Sequence, residues 1–300
     1  MHVNGLLFPE LIRSIREGLP ERVALVVQDH GGFDPAEASA LVRVWLRRGL
    51  AASDAILVAS PGQAEALRDS RIAPRETLIA DVMESSTPLR ALPVADARAT
   101  APVHGDPAVL WVGRLNDNKD PLTALDGFAR FAEAHPGATL TMAFQGGELA
   151  GAVRARVAED PRLRARVQLV GEVPHDRLAA YYSAADLFLL GSRHEGSGYA
   201  ALEALACGCV PVVTDIAPFR EITGEGVAGE LWAAGRAEAC AAALELAWMR
   251  PADERRRLPR ERFDRHFTWE KIGARAVAIY REVMAARGRA RGGAPVHTLR

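Results

Sequence analysis

Lysine is nearly missing from this chain. Only Lys119 and Lys271 occur, and the rest of the 37 basic residues are arginine. With many alanines, that bias points to a GC-rich bacterial genome and makes each lysine conspicuous. Charge of one sign is missing too. The formal net charge is −1, which removes the electrostatic case for a nucleic-acid partner. Cysteine is scarce, and three thiols cannot all pair. Cys207 and Cys209 raise the possibility of a metal, but no matching His or Cys spacing accompanies them. Ala206-Cys-Gly-Cys-Val-Pro211 reads instead as a helix end and strand start where small residues pack. Neither a signal peptide nor a long apolar run occurs, so the expected location is cytoplasmic.

What is present is a soluble globular composition long enough for about two domains. From about residue 107 strands and helices alternate. Ala108–Val112, Thr139–Met142, Val167–Val170, Leu187–Leu190 and Val210–Val213 read as strands. Helices are predicted near 120–134, 148–159, 175–184, 198–206 and 237–249. Short, wholly apolar strands with helical crossovers mean an open parallel sheet, and ligands in such sheets bind at the carboxyl ends of the strands. The first ninety or so residues are a less complete copy. Val3–Phe8, Arg22–Val27, Ala55–Ala59 and Thr77–Ile79 are its strand candidates, and 36–48 and 61–68 its helices. The expected division is a partial first domain over 1–94 and a linker over 95–106. A second domain follows over 107–266, then a helix over 267–287 packing back on the first domain, with Thr268 as N-cap. Residues 288–300 read as a disordered, solvated tail, or as a basic contact with an anionic membrane.

The most informative stretch is Ser192-Arg-His-Glu-Gly-Ser-Gly-Tyr-Ala-Ala-Leu-Glu203, between an apolar strand and Val210-Pro-Val-Val213. It makes a strand, a glycine-rich turn, a helix and a strand. Gly196 and Gly198 allow close backbone approach to a ligand. The first free helix amides, around Gly198, Tyr199 and Ala200, favour a phosphate, and Ser197 beside them is a further binding candidate. Glu195 in the turn and Glu203 in the helix can accept hydrogen bonds from sugar hydroxyls. The set suits a nucleotide-sugar, which carries a diphosphate between two sugars. A second stretch, Val109-Leu-Trp-Val-Gly-Arg-Leu-Asn-Asp-Asn-Lys-Asp120, ends a strand at Gly113 and places Arg114 and Lys119 in the following loop. Fixed cations there would stabilise the charge that grows on a departing nucleoside diphosphate.

Glu-x7-Glu in this setting, with Gly-Arg-Leu and then Lys, resembles the retaining glycosyltransferases of GT-B fold, of the family 4 or glycosyl transferases group 1 type. The resemblance implies two Rossmann-like, doubly wound parallel-sheet domains. It implies transfer of a hexosyl group from a UDP-, GDP- or ADP-sugar to a glycan, a lipid-linked glycan or a small molecule. The nucleotide-sugar is a co-substrate, and neither metal nor other cofactor is implied. Arg114 and Lys119 would hold the donor diphosphate, Glu203 the ribose diol, and Glu195 would lie by the donor sugar. Backbone around Val173 and Pro174 would receive the base. His30 is either a satisfied strand-end residue or directed at the donor sugar.

Two departures stand out. Thr214-Asp-Ile-Ala-Pro218 lacks the family's glycine pair, and Ile79-Ala-Asp-Val-Met83 replaces its Pro-Asn-Gly-Val-Asp. The opening Met1-His-Val-Asn-Gly5 resembles the middle of the family's first domain, so that domain is expected to be incomplete. A mis-set start, a gene fragment and a short family member all fit. Two rivals follow: a non-catalytic nucleotide-sugar-binding fragment or partner subunit, and a GT-B sugar-nucleotide epimerase, against which Glu-x7-Glu argues.

Overall fold

The computed structural model of the chain describes residues 1–30 and 38–292, with side chains described through Arg287 outside the 31–37 gap. The described residues divide into two units, Met1–Glu84 with the segment from Trp269, and Ser85–Thr268. The chain therefore leaves the first unit once and returns to it by its last helix.

The first unit is a four-stranded parallel sheet in consecutive order. Its strands are β1 (His2–Asn4), β2 (Val26–Gln28), β3 (Ala55–Val58) and β4 (Leu78–Asp81). Right-handed crossovers place α1 (Pro9–Gly18), α2 (Ala40–Leu50) and α3 (Pro61–Asp69) on one face. Leu6, Ile12, Leu46, Leu50 and Leu67 bury against Leu25, Val27, Ile56 and Val58 there. Helix α1 was not predicted: Val3–Phe8 was read as one strand, whereas strand ends at Asn4 and Phe8 becomes the N-cap. Gly5 at φ +108 breaks the extension, and Pro9 then starts the helix as its first residue, where a missing N–H costs nothing. Ser39 and Ser60 cap α2 and α3 through side-chain oxygens, 3.4 Å from Val42 N and 3.3 Å from Gln63 N. The predicted start of α2 at 36 lies outside the described residues.

The C-terminal helix runs Trp269–Gly292. It belongs to the first unit. Tyr280 Oη lies 2.6 Å from His2 Nδ1, and Arg287 donates to the Glu21 carbonyl at 2.9 Å. The helical backbone continues to Gly292, five residues past the predicted end. The expectation of a disordered tail thus fails for 288–292, and the remainder of it lies outside the described residues.

The second unit is a six-stranded, all-parallel sheet in the order β10-β9-β8-β5-β6-β7. Its strands are β5 (Ala108–Arg114), β6 (Thr139–Gln145), β7 (Val167–Gly171), β8 (Leu187–Leu190), β9 (Val210–Thr214) and β10 (Glu230–Trp232). Its helices are α4 (Val94–Thr100), α5 (Pro121–Ala134), α6 (Ala150–Glu159), α7 (Pro161–Arg164), α8 (Leu178–Ala184), α9 (Tyr199–Ala206), α10 (Ala217–Thr223), α11 (Ala237–Met249) and α12 (Ala252–His266). The five predicted strands are all present; β5, β6, β8 and β9 are mostly buried, whereas β7, at the sheet edge, is half-buried with Gln168 exposed. Residues 95–106, expected as linker, carry α4 and belong to this unit. Ala97 is fully buried, and Arg98 reaches Asp186 at 3.2 Å. No helix among the described residues is long and apolar enough to cross a membrane.

Candidate active site

Strand order reverses direction between β5 and β8. From β5 the chain winds outward through β6 and β7, then returns to the other side of β5 at β8. The two loops leaving the carboxyl ends of β5 and β8 lie at this switch point, where open α/β sheets bind ligands. These are the loops Leu115–Asp120 and Gly191–Gly198, which hold Lys119, Glu195, Gly196, Ser197 and Gly198 of the residues singled out by sequence.

The loops are tied together by Asn118. Its Nδ2 donates to the His194 carbonyl at 3.0 Å, its Oδ1 accepts from His194 N at 2.9 Å, and its carbonyl accepts from Arg193 N at 2.8 Å. Arg193 adds an ion pair to Asp120 at 2.8 Å, and Asp120 in turn caps α5 through Thr123 N at 3.3 Å. Gly191 passes so close that a β-carbon there would lie 3.0 Å from the Asp120 carbonyl oxygen. The latch brings Lys119 Nζ onto Glu195 Oε1. Ser192 Oγ donates to the same carboxylate oxygen at 2.7 Å. Glu195 is thus largely shielded, with 12% of its side chain exposed, and fixed by two donors. Arg114 closes β5 beyond Gly113; its side chain is exposed and has no partner among the described residues.

Helix α9 begins at Tyr199 after Gly198, which takes φ +61. A β-carbon there would stand 2.8 Å from Ile222 and 2.9 Å from Phe219, so close packing on α10 as well as the left-handed backbone demands glycine. The amides of Tyr199 and Ala200 find no acceptor among the described residues, as expected of a helix start. Ser197 is buried beneath the turn and Gly196 half-buried. One turn further, Glu203 is held at both oxygens. His175 Nε2 lies 2.7 Å from Oε1, and Tyr182 Oη donates to Oε2 at 3.0 Å. Burial, and then the Glu203 charge, push the Tyr182 hydroxyl well above its ordinary value, so it remains a donor. His175 follows Val173 and Pro174 directly, which couples the loop after β7 to α9.

The second unit therefore gathers Gly113, Arg114, Lys119, Val173, Pro174, Glu195, Gly196, Ser197, Gly198, Tyr199, Ala200 and Glu203 along one sheet edge. His30 lies in the first unit, where its Nδ1 pairs with Glu84. Sequence reading missed the latch of Asn118 and the grip of Tyr182 and His175 on Glu203. The available signal for Tyr182 was a hydroxyl inside the otherwise apolar run of α8, a buried donor that must find an acceptor. Cys207 and Cys209 are buried at the α9–β9 junction, and burial pushes the Cys207 thiol up to about 12 and Cys209 upward also. Both are core packing.

The fold and this edge define a class of proteins built from two parallel α/β units, with polar and charged side chains gathered at the switch point of the second sheet. The family model of glycosyl transferases group 1 matches residues 95–262, and the chain belongs to that family. Among curated relatives, glycogen synthase of Mycobacterium tuberculosis (strain CDC 1551 / Oshkosh) is 31% identical over 61% of this chain, and the chain spans 44% of that relative's length. GDP-mannose:cellobiosyl-diphosphopolyprenol alpha-mannosyltransferase of Xanthomonas campestris is 27% identical over 93% of this chain and 73% of its own. Among solved structures, sucrose-phosphate synthase from Thermosynechococcus elongatus aligns with a TM-score of 0.74 at 23% identity, covering 95% of this chain and 73% of that one. The fold is GT-B.

Proposed function

We propose that this chain is the donor-binding and reacting part of a retaining glycosyltransferase that moves a hexosyl group from a nucleotide-sugar to an acceptor hydroxyl. The observation that carries the reading is the convergence of Lys119 and Ser192 on Glu195 at the sheet's reversal point, beside the free amides of α9. In the step proposed, the bond between the anomeric carbon and the diphosphate oxygen breaks. The acceptor oxygen bonds to the same face of that carbon, and its proton passes to the leaving phosphate oxygen. Charge growing on the diphosphate is met by Arg114, by Lys119 and by the amides of Tyr199 and Ala200. Such donors act most strongly on charge that exists only in the transition state. Glu203 accepts from the ribose diol. Glu195, held by Lys119, faces the sugar, and His30 is assigned to the sugar from the first unit. Val173 and Pro174 frame the base. No metal enters, because the cationic and amide donors fill that role.

The Xanthomonas campestris relative is named for a GDP-mannose donor and a diphosphopolyprenol-linked acceptor. That supports a guanine nucleotide and a lipid-linked glycan as the first pair to try. A lipid-linked acceptor also supports a cytoplasmic protein peripheral to the inner membrane face. The second reading, a nucleotide-sugar-binding partner that does not itself transfer, rests on the four-stranded first unit.

The test is thermal shift against UDP, GDP and ADP with Arg114→Ala and Lys119→Ala alongside. One nucleotide is expected to raise Tm in the native chain. Each substitution should weaken it by about 1.5–3 kcal/mol, the range for a hydrogen bond to a charged group. Equal shifts in the native chain and both variants would remove the diphosphate-clamp assignment. Product formation with the matched sugar then separates transfer from binding alone.

A further inference from the structure

The first unit carries an open groove of about 1370 Å³ on the edge opposite the carboxyl ends of its strands. Ser53 and Asp54 before β3, and Thr77 before β4, form its floor; the α3–β4 loop and Glu282, Val283, Ala286 and Arg287 of the C-terminal helix form walls. Five arginines line it, Arg47, Arg68, Arg71, Arg75 and Arg287, against the acids Asp54, Glu76 and Glu282. Two of these cations are engaged. Arg287 pairs with Asp54, which Arg16 also approaches at 4.0 Å, and Arg68 donates to the Ile79 carbonyl at 2.7 Å. Arg47, Arg71 and Arg75 have no partner among the described residues, and neither has the Thr77 hydroxyl.

Helix polarity explains part of this. The carboxyl ends of α2 and α3 face the groove, and Arg47 and Arg68 lie in their last turns, where cations are favoured. It does not explain Arg71 or Arg75, which lie outside both helices. The terminal carbonyls are moreover already capped. Ser53 Oγ donates to the Leu50 carbonyl at 2.7 Å and Ser70 Oγ to that of Leu67 at 2.6 Å. Arg71 is a further anomaly. It takes φ +56 just past the α3 C-cap, where glycine is the unstrained residue. A long cationic side chain is kept there at a cost of order 1 kcal/mol in backbone strain.

We propose that this groove binds a phosphorylated ligand, with Arg47, Arg71, Arg75 and Thr77 donating to its phosphoryl oxygens. Guanidinium groups match the oxygens of phosphate in pairs, and the three unengaged ones around this concavity outnumber its two unengaged carboxylates, Glu76 and Glu282. The groove is lined by first-unit residues alone, whereas the diphosphate-binding residues belong to the second unit, so the inference stands whether or not the proposed transfer is correct. The phosphoryl group belongs either to a soluble phosphate ester or to an anionic phospholipid headgroup.

The test uses the full chain carrying Arg114→Ala and Lys119→Ala, so that the diphosphate clamp does not compete. Inorganic pyrophosphate is titrated by calorimetry, with and without Arg47→Ala and Arg75→Ala. Binding is expected to weaken at least tenfold on removing this pair. Unchanged affinity, or no pyrophosphate binding before their removal, overturns the proposal. Arg71→Gly supplies a readout that lost stability cannot mimic: Tm should rise as strain is relieved while pyrophosphate affinity falls severalfold. A raised Tm with unchanged affinity also overturns it. Cosedimentation with phosphatidylglycerol vesicles, against phosphatidylcholine vesicles, identifies the source. Retention on the former that Arg47→Ala and Arg75→Ala abolish assigns a lipid headgroup. Pyrophosphate binding without such retention assigns a soluble ester.

Discussion

At the scale of single residues, the two glutamates of the motif are held in contrasting ways, and their substitutions should separate. Glu203 is nearly buried and spends both oxygens on His175 and Tyr182. In the proposed role, a ribose diol would take over the oxygen that exposed His175 now holds, while Tyr182 stays in place. Glu203→Gln keeps the shape but loses the charged acceptor. It is expected to weaken nucleoside-diphosphate binding by about 1–3 kcal/mol. Glu195 instead neutralises Lys119. Glu195→Gln releases that ammonium toward a diphosphate, so nucleotide affinity should hold or rise while turnover falls. Calorimetry and a product assay on both variants decide it, and the opposite pattern would reverse the roles assigned along the turn and helix. The carboxylates, Arg114 and Lys119 stood out in the sequence through Glu-x7-Glu in a strand, turn and helix setting, Gly-Arg-Leu at a strand end, and the rarity of lysine. Their partners were not. Nothing in one dimension reports that Asn118 and His194, far apart in sequence, face each other, or that Ser192 points back into its own turn.

At the scale of elements, two joints carry predictions. The first is the latch between the β5 and β8 loops. Asn118→Ala removes both side-chain bonds to His194, each worth about 0.5–1.5 kcal/mol, and leaves the Arg193 backbone bond. Nucleotide affinity should fall roughly tenfold, whereas Tm should scarcely move because both bonds are near the surface. Asn118→Asp, which keeps the acceptor alone, should recover part of the loss; a Tm loss as large as the binding loss would mean that the residue supports the fold and not the site. The second joint is between α6 and α7. The Arg162 guanidinium holds the Asp160 carboxyl well below its usual range, with the Arg162 amide and Arg156 assisting against burial. A depressed folded value means the carboxylate stabilises above the ordinary range near pH 4 and loses that contribution as pH falls through it toward the folded value. Asp160→Asn keeps the cap and removes the charge, so stability from pH 5 down to about pH 2 should fall less steeply than in the native chain. Parallel slopes in urea titrations across that range would contradict it. Both joints were invisible in sequence for the reason that hid α10, α12 and β10. Helix α12, Ala252–His266, is crowded with charge, contains Pro259, and buries only that proline and Phe263. It has too narrow an apolar stripe to read as a helix, yet Arg256 and Arg260 anchor it to the Ala185 and Ala206 carbonyls. Strand β10 has three residues and is set by pairing to β9. Elements with their own apolar periodicity were predictable, α1 excepted; elements defined by neighbours were not.

At the scale of the whole molecule, the two units differ in how well they bury themselves. All three cysteines belong to the second unit and are buried at 1% exposure or less. Burial raises every one of their thiols. A thiol that is both shielded and protonated does not alkylate, so iodoacetamide at neutral pH should label none in the folded protein. The first unit is smaller and leaves Leu41 at 83%, Phe8 at 59% and Leu11 at 52% exposed on α2 and the α1 segment. A smaller domain buries a smaller fraction of its chain and is correspondingly less stable. In urea, helicity by circular dichroism should therefore begin to fall before any thiol reacts, and the three thiols should then label together as the second unit opens. That order follows from the separate cores: each sheet is closed by its own helices, and the cysteines report on only one of them. Labelling that tracks the entire loss of helicity would show one cooperative transition. Labelling without urea would show instead that the α9–β9 junction opens in the native state, and the tight packing around Gly198 that positions the α9 amides would have to be abandoned with it.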